Sequence, residues 1–445
     1  MDGAWRGAAG QHHFIGNRWL PAAGGGSLPV IDPSDGQPFA RIARGDAADV
    51  DAAVQAARRA YGESGEGPWG RCSATERGRL LARLSLRVQE AAEELASLES
   101  RTTGKPLKQG RSDAAALARY FEYYGGAADK LHGETLPYSA GMTVLTLREP
   151  HGVTGHIVPW NYPMQIFGRS VGAALAAGNA CVVKPAEDAC LSLLRLAELA
   201  AEAGFPDGAL NIVTGLGHEA GAALAAHGGI DHISFTGSPV TGTKVAQAAA
   251  AHHCPVTLEL GGKSPQIVFA DADLDAAVPV LVNAIMQNAG QTCSAGSRLL
   301  VERAVYEEVL GRVGAAIRML KVGPALDDLD LGPLIRRSQQ QRVWDFLSQA
   351  HADGIEVAAQ GEIVDSAPET GFYQAPTLLR DVPPAHAIAQ EEIFGPVLAA
   401  MPFATEDEAI AIANGTPYGL VAGVWTRDGA RQLRLARAVQ SGQVF

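Results

Sequence analysis

Short runs rich in β-branched residues alternate with alanine-rich stretches from residue 153 onward. The runs cover residues 153–158, 180–184, 210–214, 232–236 and 256–260. Parallel strands need long crossovers, which helices normally form, so this alternation is typical of a parallel sheet. The chain is therefore predicted to have an α/β fold built on an open parallel sheet.

Chemically capable residues stand where these predicted strands end. Asn161, Lys184, Gly237 and Glu259 fall at or just beyond the carboxyl ends of their runs. Ligands of open α/β sheets bind outside those ends. We therefore expect the four residues to converge on one face of the sheet.

Further regular structure flanks this series. Apolar residues recur at steps of three and four over residues 75–100, which predicts one helix that Gly104 stops. Residues 143–148 alternate as a separate strand would. A second α/β series follows, with helices expected near residues 273–288 and 305–320.

Composition fits a large globular protein and excludes several classes of function. At 445 residues, 47% hydrophobic and 19% charged, the chain is long enough for two or three domains with buried cores. No apolar run reaches the length of a membrane span and no signal peptide is recognisable, so we expect a cytoplasmic protein. The net charge of −12, with no long basic run, argues against nucleic-acid binding.

The cysteines and histidines suggest no metal site. Five cysteines, an odd number without CxxC spacing, are typical of reduced thiols rather than of a disulfide framework. The histidines show no HExxH or comparable ligand spacing, so no metal is expected.

Cys293 is the candidate nucleophile. It lies in residues 288–298, NAGQTCSAGSR, where small neighbours would leave its sulfur approachable. Glu259, in residues 258–264, LELGGKS, could supply a base. A cysteine among small residues is more often a packed apolar residue, so the surrounding motifs must decide.

Asn161 supplies a further element of such a site. It lies in residues 157–163, IVPWNYP, directly after a predicted strand. Two prolines and a tryptophan would stiffen this turn. A rigid amide N–H is suited to holding an oxyanion that develops beside a sulfur.

These runs together resemble the aldehyde dehydrogenase superfamily, NAD(P)-dependent enzymes that oxidise aldehydes through a thioester on cysteine. Residues 14–19, 31–36, 391–397 and 414–420 are also similar to patterns of that family. The resemblance implies a Rossmann-like parallel-sheet cofactor domain, a second α/β catalytic domain and a small β oligomerisation arm.

The resemblance implies a mechanism for oxidising a small-molecule aldehyde to a carboxylate. Cys293 would attack the aldehyde carbon to give a thiohemiacetal, whose oxyanion the Asn161 side chain and the Cys293 backbone N–H would hold. Hydride would pass to the nicotinamide. Glu259 would then activate water to hydrolyse the thioester.

The cofactor expected from the resemblance is NAD in preference to NADP. A glycine turn at Gly237 precedes a predicted helix, although its two glycines five residues apart lack the usual GxGxxG spacing and would alone suit an ordinary βα turn. Lys184 and Glu187 would contact the adenosine ribose, and the charge of Glu187 would repel a 2′-phosphate. Glu392 and Phe394 would hold the nicotinamide ribose and ring.

The resemblance implies wider sets of contact residues. The cofactor-binding set is Ile157, Val158, Pro159, Trp160, Lys184, Pro185, Glu187, Gly217, Gly237, Ser238, Thr241, Leu260, Gly261, Glu392 and Phe394. The substrate set is Tyr162, Arg169, Thr292 and Ser294.

Domain boundaries follow from the same resemblance. Residues 1–130 and 150–260 would form the dinucleotide-binding domain, residues 131–149 the oligomerisation arm and residues 261–445 the catalytic domain. Relatives continue for several tens of residues beyond the last predicted strand. The C-terminal interface strand is thus expected to be absent, through clipping, an undescribed tail or a truncated gene. A homodimer or homotetramer is expected if the C-terminus is complete.

The sequence departs from the family pattern beyond Asn161. Ser170 and Ala173 replace a usual lysine and proline, which puts the proton relay from Glu259 in question. Arg169 stands where many relatives have an aromatic residue and where relatives that oxidise carboxylate-bearing semialdehydes often have arginine. It would pair either with a substrate carboxylate or with a local acid.

Two other functions compete with the dehydrogenase. The rival is a catalytically impaired, truncated cofactor-binding homologue, which the missing terminus favours and the intact Cys293, Glu259 and Asn161 oppose. CoA-dependent acyl transfer is weakened by Glu259, because a water-activating base suits hydrolysis.

Overall fold

The computed structural model describes residues 11–445, and these form two compact units. The first contains residues 11–31, 38–102 and 108–259, and the second contains residues 32–37, 103–107 and 260–445. Residues 1–10 of the expected dinucleotide-binding domain lie outside the described residues.

The first unit, with the segments at its borders, alternates strands and helices along most of its length. Its strands are β1 (His12–Ile15), β2 (Arg18–Pro21), β3 (Ser27–Asp32), β4 (Gln37–Ala43), β5 (Thr135–Leu136), β6 (Val144–Leu145), β7 (Val153–Val158), β8 (Ala180–Pro185), β9 (Leu210–Ile212), β10 (His232–Thr236) and β11 (Val256–Glu259). Its helices are α1 (Ala47–Tyr61), α2 (Ala74–Glu90), α3 (Ala92–Thr103), α4 (Leu107–Ala127), α5 (Pro163–Ala177), α6 (Leu191–Glu202), α7 (Ala222–Ala225) and α8 (Pro239–Ala250).

The main sheet of the first unit has the order β11-β10-β7-β8-β9-β1-β2. The five strands from β11 to β9 pair in parallel, and β1 joins β9 in antiparallel orientation. The two central strands are buried almost throughout, as expected for strands covered on both faces. The parallel sheet predicted from the alternating runs is confirmed.

The helices of this unit end where the sequence supplies caps. Asp46 and Ser73 each form a capping box at the start of α1 and α2. Gly178, with φ of 99°, ends α5 in the left-handed conformation that favours glycine.

The long helix predicted over residues 75–100 is instead two helices. α2 ends at Glu90, and Ala91, with φ of −98° and ψ of 13°, separates it from α3. This break lets α2 pack against α5 and α6, while Glu99 of α3 accepts a hydrogen bond from Ser192 at 2.8 Å. Tertiary packing therefore overrides the continuous helical pattern.

A two-stranded ladder of β5 and β6 lies between α4 and β7. Thr135 pairs with Leu145, and Leu136 pairs with Val144. The segment exposes several large apolar side chains: Leu131, Leu136, Tyr138, Met142, Leu145 and Leu147.

The second unit is also an α/β structure. Its strands are β12 (Pro265–Val268), β13 (Arg298–Glu302), β14 (Lys321–Val322), β15 (Val357–Gln360), β16 (Glu362–Ile363), β17 (Thr377–Leu379), β18 (Val397–Phe403), β19 (Val421–Trp425) and β20 (Gln443–Val444). Its helices are α9 (Leu274–Met286), α10 (Tyr306–Arg318), α11 (Arg337–Ala352), α12 (Ala387–Gln390), α13 (Glu406–Asn414) and α14 (Gly429–Ala438).

The main sheet of the second unit has the order β15-β17-β18-β13-β12-β19-β20. All of its pairings are parallel except that of β15 with β17. The α/β fold class is therefore confirmed in both units. Within residues 11–445, no helix combines the length and the apolar character needed to cross a bilayer.

Candidate active site

The topological switch point of the first unit lies between β7 and β10, because the chain adds strands outward from β7 on one side and from β10 on the other. Ile157 of β7 pairs with Lys184 of β8 and with Phe235 of β10. Thr236 pairs with Glu259 of β11. All four residues expected to converge therefore lie at or just beyond one edge of this sheet.

Asn161 is held in the turn between β7 and α5. The residue is only 4% exposed. Tyr162 is the N-cap of α5, and Pro163 occupies the first helical position, where its missing N–H leaves no hydrogen bond unmade. Pro159 and Trp160 precede it. A turn restrained on both sides fixes the amide, as an oxyanion donor requires.

The turn after β10 can cradle a pyrophosphate. An added Cβ at Gly237 would lie 2.6 Å from Cζ of Phe235, so only glycine fits. Ser238 caps α8 by accepting a hydrogen bond from the Thr241 N–H at 3.3 Å, and both residues are exposed. The helix N-terminus attracts anions. Gly217, after β9, is also exposed, with open space around the position of a Cβ.

Lys184 and Glu187 form an ion pair at the end of β8. The Lys184 Nζ donates to Oε2 of Glu187 at 3.1 Å. The lysine side chain is 3% exposed and the glutamate side chain 30%. The buried lysine thus restrains a carboxylate that solvent and ligands can still reach.

Glu259 ends β11 beside the glycine turn. Its side chain is exposed, and its backbone carbonyl accepts a hydrogen bond from the Gly237 N–H at 3.0 Å. An exposed carboxylate can be reached by the water that it would activate. The position therefore suits a base that acts on water.

The partly exposed positions of α5 include a stripe that begins next to Asn161. Tyr162, Gln165 and Arg169 are spaced by three and four residues and share one helix face. Arg169 is exposed and makes no hydrogen bond or ion pair within residues 11–445. Burial raises the pKa of the neighbouring Tyr124 hydroxyl, and the charge of Arg169 opposes that rise.

Cys293 follows a strained loop in the second unit. Asn288, Ala289 and Gly290 have φ values of 49°, 51° and 74°, and only glycine adopts this left-handed region readily. Nδ2 of Asn288 donates to the Gln291 carbonyl at 3.2 Å, and Nε2 of Gln291 donates to the Asn288 carbonyl at 3.1 Å. These reciprocal bonds hold the loop that leads into Cys293.

Two glycines let the surrounding chain approach this loop. A Cβ on Gly262 would overlap the carbonyl oxygen of Cys293, and a Cβ on Gly261 would overlap the carboxylate of Glu392. The Gly262 N–H donates to Oε1 of Glu392 at 3.2 Å. The two glycines thus bring the Cys293 backbone and the Glu392 carboxylate against the same short segment.

A small cavity lies within the second unit, lined in part by Gly262, Thr292, Glu392 and Phe394. Burial raises the pKa of Glu392, while the Gly262 N–H and the charge of Lys263 oppose the rise. Residues expected to contact cofactor and residues expected to contact substrate thus share one cavity.

The site residues of the second unit precede its strands. Leu260 and Gly261 come before β12, Thr292, Cys293 and Ser294 before β13, and Glu392 and Phe394 before β18. The parallel sheet therefore presents them at its amino edge, whereas the first unit uses its carboxyl edge.

The cysteines differ in reactivity. All five lie within the described residues and form no disulfide. Burial raises the pKa of Cys181 and of Cys190 to about 12, so both stay protonated and unreactive at neutral pH. Cys293 is only partly buried. No cluster of three or more potential metal ligands occurs among residues 11–445.

Sequence reasoning assigned no role to Lys263 or Arg298, although both are almost completely buried. It also overlooked the restraint of the nucleophile loop by Asn288 and Gln291. A charged residue two positions before the apolar strand β12 was the available signal for Lys263.

The sequence profile of the Aldehyde dehydrogenase family matches residues 19–445. The chain belongs to this family.

Individual relatives support the assignment to this family. A hydroxyisobutyraldehyde dehydrogenase from Mycolicibacterium austroafricanum is 43% identical over 97% of this chain and 85% of its own length. The crystal structure of a candidate aldehyde dehydrogenase from Burkholderia cenocepacia matches with a TM-score of 0.96 and 74% identity, over 98% of this chain and 91% of that one. An NAD⁺ complex of aldehyde dehydrogenase from Bacillus cereus matches with a TM-score of 0.95 and 39% identity, over 100% of this chain and 90% of that one.

The resemblance inferred from sequence motifs is thus confirmed. The chain is an oxidoreductase that oxidises an aldehyde with a nicotinamide dinucleotide. Nothing in these relatives favours the impaired homologue that competed with the enzyme.

Proposed function

We propose that this aldehyde dehydrogenase uses Cys293 as its nucleophile, Asn161 as an oxyanion donor and Glu259 as the base for thioester hydrolysis. The main support is the loop before Cys293, in which strained residues are held by reciprocal hydrogen bonds. Strain of this kind is concentrated at functional sites.

Each of the three proposed catalytic residues has a distinct task. The Cys293 thiolate attacks the aldehyde carbon, and the bond that forms converts the carbonyl oxygen to an oxyanion. Asn161 and the Cys293 backbone N–H donate hydrogen bonds to that oxyanion. The bound cofactor would accept the hydride that leaves the former aldehyde carbon, which converts the thiohemiacetal into a thioester. Glu259 then takes a proton from water, which attacks the thioester and releases the carboxylate product together with the cysteine.

NAD fits the residues at the edge of the first unit's sheet. The exposed turn at Gly237 and the start of α8 suit its pyrophosphate. The Lys184–Glu187 pair suits ribose hydroxyls, because the lysine donates and the carboxylate accepts hydrogen bonds. In the second unit, Glu392 and Phe394 would hold the nicotinamide ribose and ring. A 2′-phosphate would face the Glu187 carboxylate, so NAD is favoured over NADP.

Arg169 points to a substrate class. Its charge has no acidic partner among the described residues, so the local acid that would have neutralised it is not seen. Tyr162 lies on the same helix face, next to Asn161. Aldehydes that carry a second, anionic group are therefore the proposed preferred substrates, with Thr292 and Ser294 as further contacts.

The cellular setting is also proposed. A cytoplasmic location suits a catalytic thiol that must stay reduced.

The exposed apolar residues of the β5–β6 ladder, among them Leu136, Tyr138 and Leu145, would pack against a second copy in a homodimer or homotetramer.

The test of the nucleophile compares two thiols. Cys293→Ala should abolish NADH production from aldehyde while NAD affinity, measured by titration calorimetry, changes little. Cys254→Ala, at another partly buried thiol, is the matched control and should retain turnover. Substantial turnover by Cys293→Ala would refute the assignment.

A further inference from the structure

A second cavity lies within the second unit and takes no part in the proposed chemistry. Its enclosed volume, about 10 Å³, is about the space that one water molecule needs, so it suits a ligand of a single atom. Its polar lining comes from Lys263, Ser264, Arg298, Tyr418 and Gln440 with Ser441. No acidic residue of the described chain lines it.

Two buried cations meet at this cavity. Lys263 is 1% exposed, and its Nζ has no hydrogen-bond partner. Arg298 is 2% exposed and donates to the carbonyls of Lys263, Ile412 and Ala413, each at 2.7 Å. Neither side chain has an ion-pair partner within residues 11–445. Buried charges are normally paired, so the arrangement lacks an anion.

A neighbouring hydroxyl also lacks a hydrogen-bond partner. The Ser264 Oγ is buried without a hydrogen-bond partner and belongs to a residue that lines the same cavity. An ammonium and a hydroxyl that both lack partners would be satisfied together by one acceptor.

The charged groups around Lys263 make the site sensitive to pH. Burial, together with the charges of Arg298 and Arg342, lowers its pKa to about 7, although Glu392 and Glu391 oppose the shift. Only the protonated amine attracts an anion. Binding is therefore strong below pH 7 and weakens as the pH rises above the pKa of Lys263.

We infer that Lys263, Ser264 and Arg298 form a binding site for one monatomic monovalent anion, a halide ion. The single unpaired ammonium sets the charge of the ligand, and the cavity volume sets its size.

The test uses bromide, with gluconate at equal ionic strength as the anion too large to enter. In the full chain at pH 6.5, bromide should raise the thermal unfolding midpoint in a saturable way. The apparent dissociation constant should rise about tenfold between pH 8 and pH 9, because each pH unit above the pKa removes about nine-tenths of the ammonium. Chloride should compete with bromide.

Variants and crystals test whether bromide binds at Lys263. Lys263→Met should lose the bromide effect, whereas Lys321→Met, at an exposed lysine of the same unit, should keep it. Anomalous scattering from bromide-soaked crystals of the unaltered protein should show a peak against the Lys263 amine, whether or not the variant folds. A water in place of that peak, or a bromide affinity that does not change with pH, would overturn the inference.

Discussion

His156 should make the folded protein sensitive to acid. It lies in β7, 2% exposed, with its Nε2 2.9 Å from the Thr154 Oγ1 and no partner for its Nδ1. Burial, together with the charge of His232, lowers its pKa to about 3 from an ordinary value of 6.5. The folded chain therefore keeps this histidine neutral at pH values where an unfolded chain protonates it.

The size of the effect follows from proton linkage. Because the folded pKa is lower than the unfolded pKa, the stabilising contribution is complete above pH 6.5 and is lost as the pH falls from 6.5 towards 3. Each pH unit in this window removes about 1.36 kcal/mol. At pH 4.5, two units below the unfolded pKa, His156 should lower the free energy of unfolding by about 2.7 kcal/mol.

The assay compares urea unfolding of the parent and His156→Gln at pH 7.5 and pH 4.5, followed by tryptophan fluorescence. Glutamine keeps a hydrogen bond within reach of Thr154 but cannot be protonated. The variant should therefore lose about 2–3 kcal/mol less stability than the parent between the two pH values. His252→Gln, at an exposed histidine, should follow the parent. Parallel pH profiles for the parent and His156→Gln would refute the reasoning.

The remaining predictions concern catalysis and specificity. Glu259→Gln should give a pre-steady-state burst of NADH followed by slow turnover, because thioester hydrolysis is slowed more than hydride transfer; equal loss of both rates would contradict the base assignment. The kcat/KM of the parent should be about tenfold or more higher with NAD than with NADP, and Glu187→Ser should reduce this ratio. A parent with a higher kcat/KM for NADP would contradict the proposed role of Glu187. Arg169→Leu should remove a ten- to hundredfold preference for carboxylate-bearing aldehydes while sparing uncharged ones, as competition assays would show.

Local sequence patterns were sufficient for the parallel strands. The runs at residues 153–158 and 232–236 form strands with those bounds, because both are apolar, β-branched and bordered by turn residues. The break at Ala91 could not be predicted, because the pattern of apolar residues continues through it. The expected domain boundaries stay a prediction.

Prediction of the site succeeded where residues stand at strand ends and was incomplete where distant segments meet. Topology placed Asn161 and Lys184 at one sheet edge, as the sequence order implied. The burial of Lys263 without a hydrogen-bond partner depends on how α13 and the segment before β20 pack beside it. No local sequence pattern predicts that packing. The roles of individual site residues stay predictions until the variants are measured.

The left-handed residues before Cys293 have a consequence for turnover. Asn288 and Ala289 adopt conformations that cost about 1–3 kcal/mol each, and the reciprocal hydrogen bonds between Asn288 and Gln291 hold the loop in this form in the folded chain. The conformational entropy of this segment is therefore lost once, when the chain folds, and not again in each catalytic cycle. The loop is preorganised at the expense of global stability. Substitutions that let it leave the left-handed conformation should therefore raise the free energy of unfolding and lower kcat.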